Sequence, residues 1–437
     1  MNPLLLSGPP VGQEVLNRAA KNGRIKATLR ETRARRQTQI CRSYEVKVDK
    51  SHTSTKTQEC LRRLFLEAKW FYNNMLARGD VWNANYKTTI VLVKKGGSME
   101  PRELQILSSQ MRQEIIGRAK DNIKGLSVLK SKGHRVGALK FVGRIRSIPL
   151  NQYGVTYRIL NSGCISIQNL EQPLKVRGLN QIPKGAEYSS ALLIQRNGDY
   201  YLHMATWQQP ERKALALPKV GMDLGIDRQI TFSNGVAVKF EVLMTKKIRR
   251  LHRELSKRKQ HGRNWFKTKL KLNREYGKSV NEKRDIRNKI VSKIVGTYDT
   301  VCFQNDNVAG WQRMWGRRIQ ATAIGGITSA FKQKARTPSE VERFFASTKK
   351  CSGCGNVNCE MPLSERVYRC EACGLVIDRD LNAAINIRNE GVPAERREVT
   401  PVDTKTSTEF LEYFNSIPRV HASLVEEAGS PRLSVVR

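Results

Sequence analysis

The spacing of apolar residues changes period several times along the chain, and each change marks an element. In "YEVKVDK" the apolar positions Tyr44, Val46 and Val48 alternate, as the two faces of a strand require. Thr55 followed by Gln58 resembles a capping box, and behind it Leu61, Leu64, Phe65, Ala68, Phe71, Tyr72 and Met75 form one helical stripe. A second helical stretch, about 101–130, carries Leu104, Leu107, Met111, Ile115 and Ile116. From 138 to 207 the alternation returns in "ALKFVGRIRSIPL", "GVTYRIL" and "CISIQNL". It continues in "ALLIQ" and "YYLHMATW", which flank Asn197-Gly198 as the arms of a hairpin. This part reads as a β-barrel or sandwich with helices inserted.

"KVGMDLGID" opens a new region: an apolar strand with one central acid, Asp223, followed by a second Asn-Gly hairpin in "ITFSNGVAVKFEV". Strand, hairpin and then helices begin a mixed α/β layer. Ile248, Leu251 and Leu255, and later Ile286, Ile290 and Ile294, predict two amphipathic helices, after which "VCFQNDNVAGW" reads as a buried strand running into a polar turn. The two ends lack such periodicity. Residues 1–41 predict a mobile basic arm, and 393–437 a flexible tail with one brief apolar cluster, "FLEYF".

Size and charge sharpen this picture. At 437 residues the chain exceeds what a single core fills, so more than one domain is expected. Lys and Arg number 78 against 39 acids, a net charge of +39, and an extended polyanion relieves such self-repulsion. The excess is concentrated in 246–293, where 19 cations meet four acids. Lys246, Lys247, Arg249, Arg250, Arg253, Lys257, Arg258, Lys259 and Arg263 are therefore the candidate nucleic-acid contacts. Trp70, Trp82 and Trp265 fit either base stacking or core. No apolar run approaches the roughly 20 residues of a membrane span, and "MNPLLLSGPP" is too short for a signal peptide. The expected location is intracellular; an organelle transit peptide is the alternative that the Arg-rich start leaves open.

Four of the nine cysteines form Cys351-x2-Cys354 and Cys370-x2-Cys373, separated by 15 residues. Two such pairs complete the tetrahedral thiolate cage that structural Zn2+ prefers, with no open coordination position. Cys41, Cys60, Cys164, Cys302 and Cys359 read as buried or incidental thiols. Directly after the second pair comes "DRDLNAAINI", an acid-rich turn entering a helix with Leu381, Ala384, Ile385 and Ile387 available for packing.

"GMDLGID", "CSGCG", "ERVYRCEACG" and "DRDLNAAINI" together resemble the nuclease core and zinc ribbon of TnpB, the transposon-encoded OrfB family ancestral to compact type V CRISPR effectors. Weaker matches upstream extend the resemblance over about 42–390. It implies an α/β plus β architecture: a RuvC-like RNase H fold with inserted basic helices and zinc ribbon, preceded by a wedge β-barrel with an inserted helical recognition region. The implied divisions are 42–137 for the first wedge strand and recognition helices, 138–215 for the wedge barrel and 216–345 for the nuclease core. The ribbon then takes 346–376 and the last RuvC-like segment 377–392. The implied activity is guide-RNA-directed cleavage of double-stranded DNA beside a short motif, dependent on two Mg2+ ions, and the implied location is the prokaryotic cytoplasm, in association with the nucleoid.

The resemblance also assigns residues. Asp223 matches the first catalytic acid and Asp380 the third, with Asp378 a cap or supporting group. Three carboxylates of this kind hold Mg2+ ions that activate water on a phosphodiester. At the usual second-acid position stands Gln304. Strand residues two apart share a face, so Asp306 projects beside it and is taken as the working ligand. A nuclease-impaired, repressor-like guided binder is the alternative if that substitution fails. A transposase and a zinc-ribbon DNA-binding factor complete the set of readings.

Overall fold

The computed structural model describes residues 11–95, 97–160, 163–210, 217–322, 324–362, 364–392 and 404–425. The chain divides into two compact units, 1–211 and 212–437. The expected boundary at 215–216, the first ten residues, 393–403 and 426–437 lie outside the described residues.

The first unit begins with α1 (Val11–Gln37), β1 (Ile40–Val48), α2 (Thr55–Ala77), β2 (Ile90–Lys95), β3 (Ser98–Glu103) and α3 (Ser109–Ser131). The strands β4 (Ser147–Leu150), β5 (Tyr157–Leu160), β6 (Cys164–Ile167), β7 (Leu174–Arg177), β8 (Glu187–Arg196) and β9 (Asp199–Gln208) complete it. Seven of these strands form one nearly closed sheet in the order β4-β8-β9-β1-β7-β6-β5. Its long hairpin turns where the sequence places it: Asn197 and Gly198 both take positive φ, 54° and 82°, so Arg196 pairs with Asp199. The α2 stripe is buried as its spacing requires, Tyr72 only partly, although the helix is capped by Ser54, one residue before the expected Thr55.

Three expectations are corrected. Residues 11–37 form a helix instead of a mobile arm, because its Ala, Arg, Lys, Leu and Gln residues favour helix without an apolar stripe. Its last turn is tethered, with Arg35 and Arg36 each 2.8 Å from Glu187. The stretch about 101–130 is helical only from Ser109; Leu104 and Leu107 precede it, in a segment whose Gln105, Ile106 and Leu107 amides donate to the buried Glu67 carboxylate. Finally, 404–425 is not a flexible tail but α9 (Thr404–Asn415) and β17 (Val420–Leu424), because Phe410 and Phe414 reach the core and β17 pairs with the second unit's sheet.

The second unit opens with β10 (Leu217–Leu224), β11 (Ile230–Phe232) and β12 (Val236–Phe240), followed by α4 (Lys246–Ser256) and α5 (Arg263–Val295). Then come β13 (Tyr298–Gln304), α6 (Val308–Thr322), α7 (Gly325–Lys334), β14 (Thr337–Val341), β15 (Val367–Arg369), β16 (Val376–Asp378) and α8 (Arg379–Glu390), before α9 and β17. The six-stranded sheet runs β14-β13-β10-β11-β12-β17, parallel from β14 to β10 and antiparallel beyond. Alternation sorts its two faces. Val220, Met222, Val301 and Phe303 enter a core with Ile290 of α5, Phe331 of α7 and Phe414 of α9. The opposite face carries Gly221, Asp223, Cys302 and Gln304 and is covered by α8, whose Ile387 packs with Cys302.

Candidate metal and nuclease site

Gly221 decides how closely α8 lies on the sheet. A Cβ there would come within 2.1 Å of the Ala384 carbonyl and 2.7 Å of the Arg388 amide, so only glycine permits the approach. That approach brings the N-terminus of α8 to the end of β10, where Asp223 sits.

Asp223, Asp306 and Asp380 come together. Each is partly buried, and Asp223 experiences the charges of both others. Burial first, then the Asp380 and Asp306 carboxylates, push its pKa well above the usual range. Burial likewise raises Asp306 to about 6, against the opposing pull of Arg343. Asp378 is the N-cap of α8, its Oδ1 accepting from the Asp380 and Leu381 amides at 2.9 and 3.1 Å. Its other oxygen meets Arg228 at 2.7 Å, and Arg228, Arg366 and Arg379 all approach Asp380, at 3.8, 3.9 and 3.4 Å. Three hard carboxylates gathered together, their charge only partly offset by the neighbouring arginines, have the donor chemistry of a Mg2+ site.

Gln304 is near this group but is engaged elsewhere. Its Nε2 donates to the carbonyls of Glu342, Arg343 and Phe345 at 3.1, 3.1 and 2.8 Å, and its Oε1 accepts from the Ser347 hydroxyl at 2.9 Å. Asp306 follows it at the turn into α6, its amide donating to the Gln304 carbonyl at 3.0 Å.

Cys351, Cys354, Cys370 and Cys373 bring their Sγ atoms within 4.8 Å of one another. The Cys351–Cys373 and Cys354–Cys370 separations are 3.6 and 3.5 Å. A tetrahedron with metal–sulfur bonds of about 2.3 Å has edges of about 3.8 Å, so the cluster has the dimensions to hold zinc. Each half is the same turn: the amides of Gly355 and Gly374 close onto the carbonyls of Cys351 and Cys370, both at 3.0 Å. Both glycines take positive φ. Donation from the Cys373 amide, aided by that of Ala372, lowers the Cys370 thiol to about 6, whereas burial raises Cys351 and Cys373 is raised too, so Cys370 ionises more readily than either. Cys359 lies outside the cluster.

Between the two sites runs a network that local sequence patterns do not reveal. Asn386 Nδ2 donates to the Ser347 and Lys350 carbonyls at 2.8 and 2.6 Å, and Asn382 Nδ2 to Lys350 at 2.8 Å, while Asn382 Oδ1 accepts from the Ser352 amide at 2.9 Å. The one signal in the sequence is their four-residue spacing on the apolar face of "DLNAAIN", which buries both amides.

Of the candidate nucleic-acid contacts, Lys246, Lys247, Arg249, Arg250 and Arg253 lie on α4, Lys257, Arg258 and Lys259 follow it, and Arg263 starts α5; all nine are exposed. Lys247 is held by Glu275, and Arg250 and Arg258 by Glu254. Trp82 is exposed, whereas Trp70 and Trp265 are partly buried beneath Arg63 and Lys269. No described helix is long and apolar enough to cross a membrane.

Residues 203–313, which include Asp223 and Asp306, match the family described as "Probable transposase" (OrfB_IS605). Residues 327–387, with the four cysteines and Asp380, match the Cas12f1-like TNB domain. A "Putative RNA-guided DNA endonuclease" of Streptomyces pristinaespiralis is 26% identical over 243 residues, 53% of this chain and 60% of the relative. The Escherichia coli "Putative RNA-guided DNA endonuclease InsQ" is 28% identical over 199 residues, 39% of this chain and 48% of the relative. A "TnpB-like protein" of Acanthamoeba polyphaga mimivirus is 32% identical over 149 residues, 29% of this chain and 27% of the relative. The matches thus span at most 60% of these three curated relatives. A solved Cas12f1-sgRNA-target DNA complex aligns over 82% of this chain and 99% of that chain, at 14% identity and a TM-score of 0.47. With both family models falling on the segments that carry the clustered acids and cysteines, and with these relatives, the findings together support a TnpB-type protein.

Proposed function

We propose that the protein is an RNA-guided DNA endonuclease whose acidic site is Asp223, Asp306 and Asp380. The observation that carries this reading is the convergence of three carboxylates from β10, the turn after β13 and the start of α8, close enough that Asp380 and Asp306 perturb Asp223. The strand order β12-β11-β10-β13-β14, with a hairpin on one side of β10 and parallel strands on the other, supports a RuvC-like RNase H core. The names of the relatives support a guide RNA and a DNA target as partners, and double-stranded DNA is the target proposed here.

Asp223, Asp306 and Asp380 would hold Mg2+, which when bound activates water and stabilises the leaving oxygen of the phosphodiester. The chain's own contribution is to fix the three carboxylates on rigid elements, with Asp378 orienting the first turn of α8. Cys351, Cys354, Cys370 and Cys373 would hold a structural Zn2+ in a ribbon made with β15 and β16. The exposed cations of α4 and its flanks would grip phosphates, while guide pairing reads target sequence and the protein reads a short flanking motif.

The decisive experiment incubates the purified protein, with the RNA that co-purifies with it, with plasmid matching that RNA. Cleavage is expected in Mg2+ and none in EDTA. Asp306→Asn should slow cutting by about a hundred-fold or more while leaving target binding on a gel unchanged. A wild-type complex that retards target DNA but never cuts it would establish the repressor-like alternative instead.

A further inference from the structure

Gln304 is 7% exposed, yet all the hydrogen-bonding capacity of its Nε2 is spent on one loop. Two amide hydrogens serve three carbonyls, those of Glu342, Arg343 and Phe345, while Oε1 takes the Ser347 hydroxyl. The same loop is held from the other side by Asn386 and Asn382 of α8, and it leads directly into Cys351. Ser347, Asn382 and Asn386 are 5%, 0% and 3% exposed, so the side chains that make the network are buried from the end of β13 to α8. One end of it is two residues from Asp306; the other is two residues from Asp380.

We infer that Gln304 is a positioning residue, an amide clamp that sets the spacing of Asp306 and Asp380 by fixing the 342–350 loop between β13 and α8. This rests on reading Asp223, Asp306 and Asp380 as the acid set. It gives the missing acid a physical reason: in this chain position 304 needs a donor. Glutamate is nearly isosteric with glutamine, but its carboxylate would turn an oxygen toward three carbonyl oxygens at a buried position. Restoring an acid at 304 would therefore damage the site, whereas a ligand-replacement reading says it would improve it.

The test uses the full chain with its co-purified RNA and Mn2+ as the probe ion, titrated by electron paramagnetic resonance. Gln304→Glu and Gln304→Ala should each weaken Mn2+ binding by about ten-fold or more, the usual effect of removing a group that orients metal ligands. Cleavage should fall by about ten- to a hundred-fold, with target binding in EDTA unchanged and hydrogen-exchange protection lost in 342–350. Ser347→Ala keeps the three amide–carbonyl bonds, so its effect should be smaller and non-additive with Gln304→Ala; it carries the test if a residue-304 variant does not fold. Wild-type Mn2+ affinity in these variants, or faster cutting by Gln304→Glu, would overturn the clamp. Asp306→Asn separates the two readings. If it binds Mn2+ and cuts as wild type does, the acid assignment fails; if it loses both while Gln304→Glu gains, only the clamp fails.

Discussion

A carboxylate that the fold makes hard to ionise lowers stability at neutral pH, and Asp223 is such a group. Burial and the neighbouring Asp380 and Asp306 raise its folded pKa well above the unfolded value, and Asp306 rises to about 6. The folded protein therefore binds more protons than the unfolded chain between roughly pH 4 and the raised values, so stability falls as pH rises through that window. In metal-free protein the melting temperature should climb as pH is lowered from 7.5 to 5.5. Asp223→Asn should flatten that climb and raise the melting temperature at pH 7.5 by a few degrees, while abolishing cleavage. A melting temperature that instead falls with the substitution would show that Asp223 contributes to the fold in its ionised form. Stability and chemistry oppose each other at this residue, as expected where like charges are held together for a cation.

At the scale of elements, the site depends on how close α8 comes to β10, and Gly221 limits that distance. Gly221→Ala should destabilise the second unit by about 3 kcal/mol, because the added methyl meets backbone on α8 and not a movable side chain. Urea denaturation would measure it, and a change under about 0.5 kcal/mol would mean that α8 can retreat freely. The same region marks where the sequence is readable. Alternation identifies the strand that carries Asp223 and the strand that ends at Gln304, and cysteine spacing identifies the four-thiol cluster, because each depends on local periodicity; Asp306 lies in the turn beyond that strand, where alternation no longer applies. The Gln304 network is not legible: it joins residues about 40 and 80 apart, and nothing local distinguishes a clamping amide from a degraded acid. The tail is misread for a related reason. "FLEYF" is too short to predict burial alone, and Phe410 and Phe414 become core only because β12 offers an edge to β17.

For the whole molecule, the charge of +39 makes binding to nucleic acid a counterion-release process, so affinity should fall steeply with salt. The nine candidate cations should not contribute equally. Lys247 and Arg258 already have carboxylate partners, Glu275 and Glu254, at 2.8 and 4.0 Å, and a phosphate must compete with these. Arg249 and Arg253 line a groove on α4 together with Lys246 and His252 and are open to solvent. Replacing Arg249 and Arg253 with Gln should reduce the slope of log affinity against log salt by about 0.7 to 0.9 for each phosphate that is no longer neutralised. The same replacement at Lys247 and Arg258 should change it less, because the carboxylates left behind offset part of the charge already. Fluorescence anisotropy with the protein's own RNA, from about 50 to about 400 mM salt, reads both slopes. Equal slopes for the two pairs would show that the ion pairs open at no cost and that α4 acts as a diffuse cationic surface. A larger effect at Arg249 and Arg253 would instead make the groove a defined phosphate track.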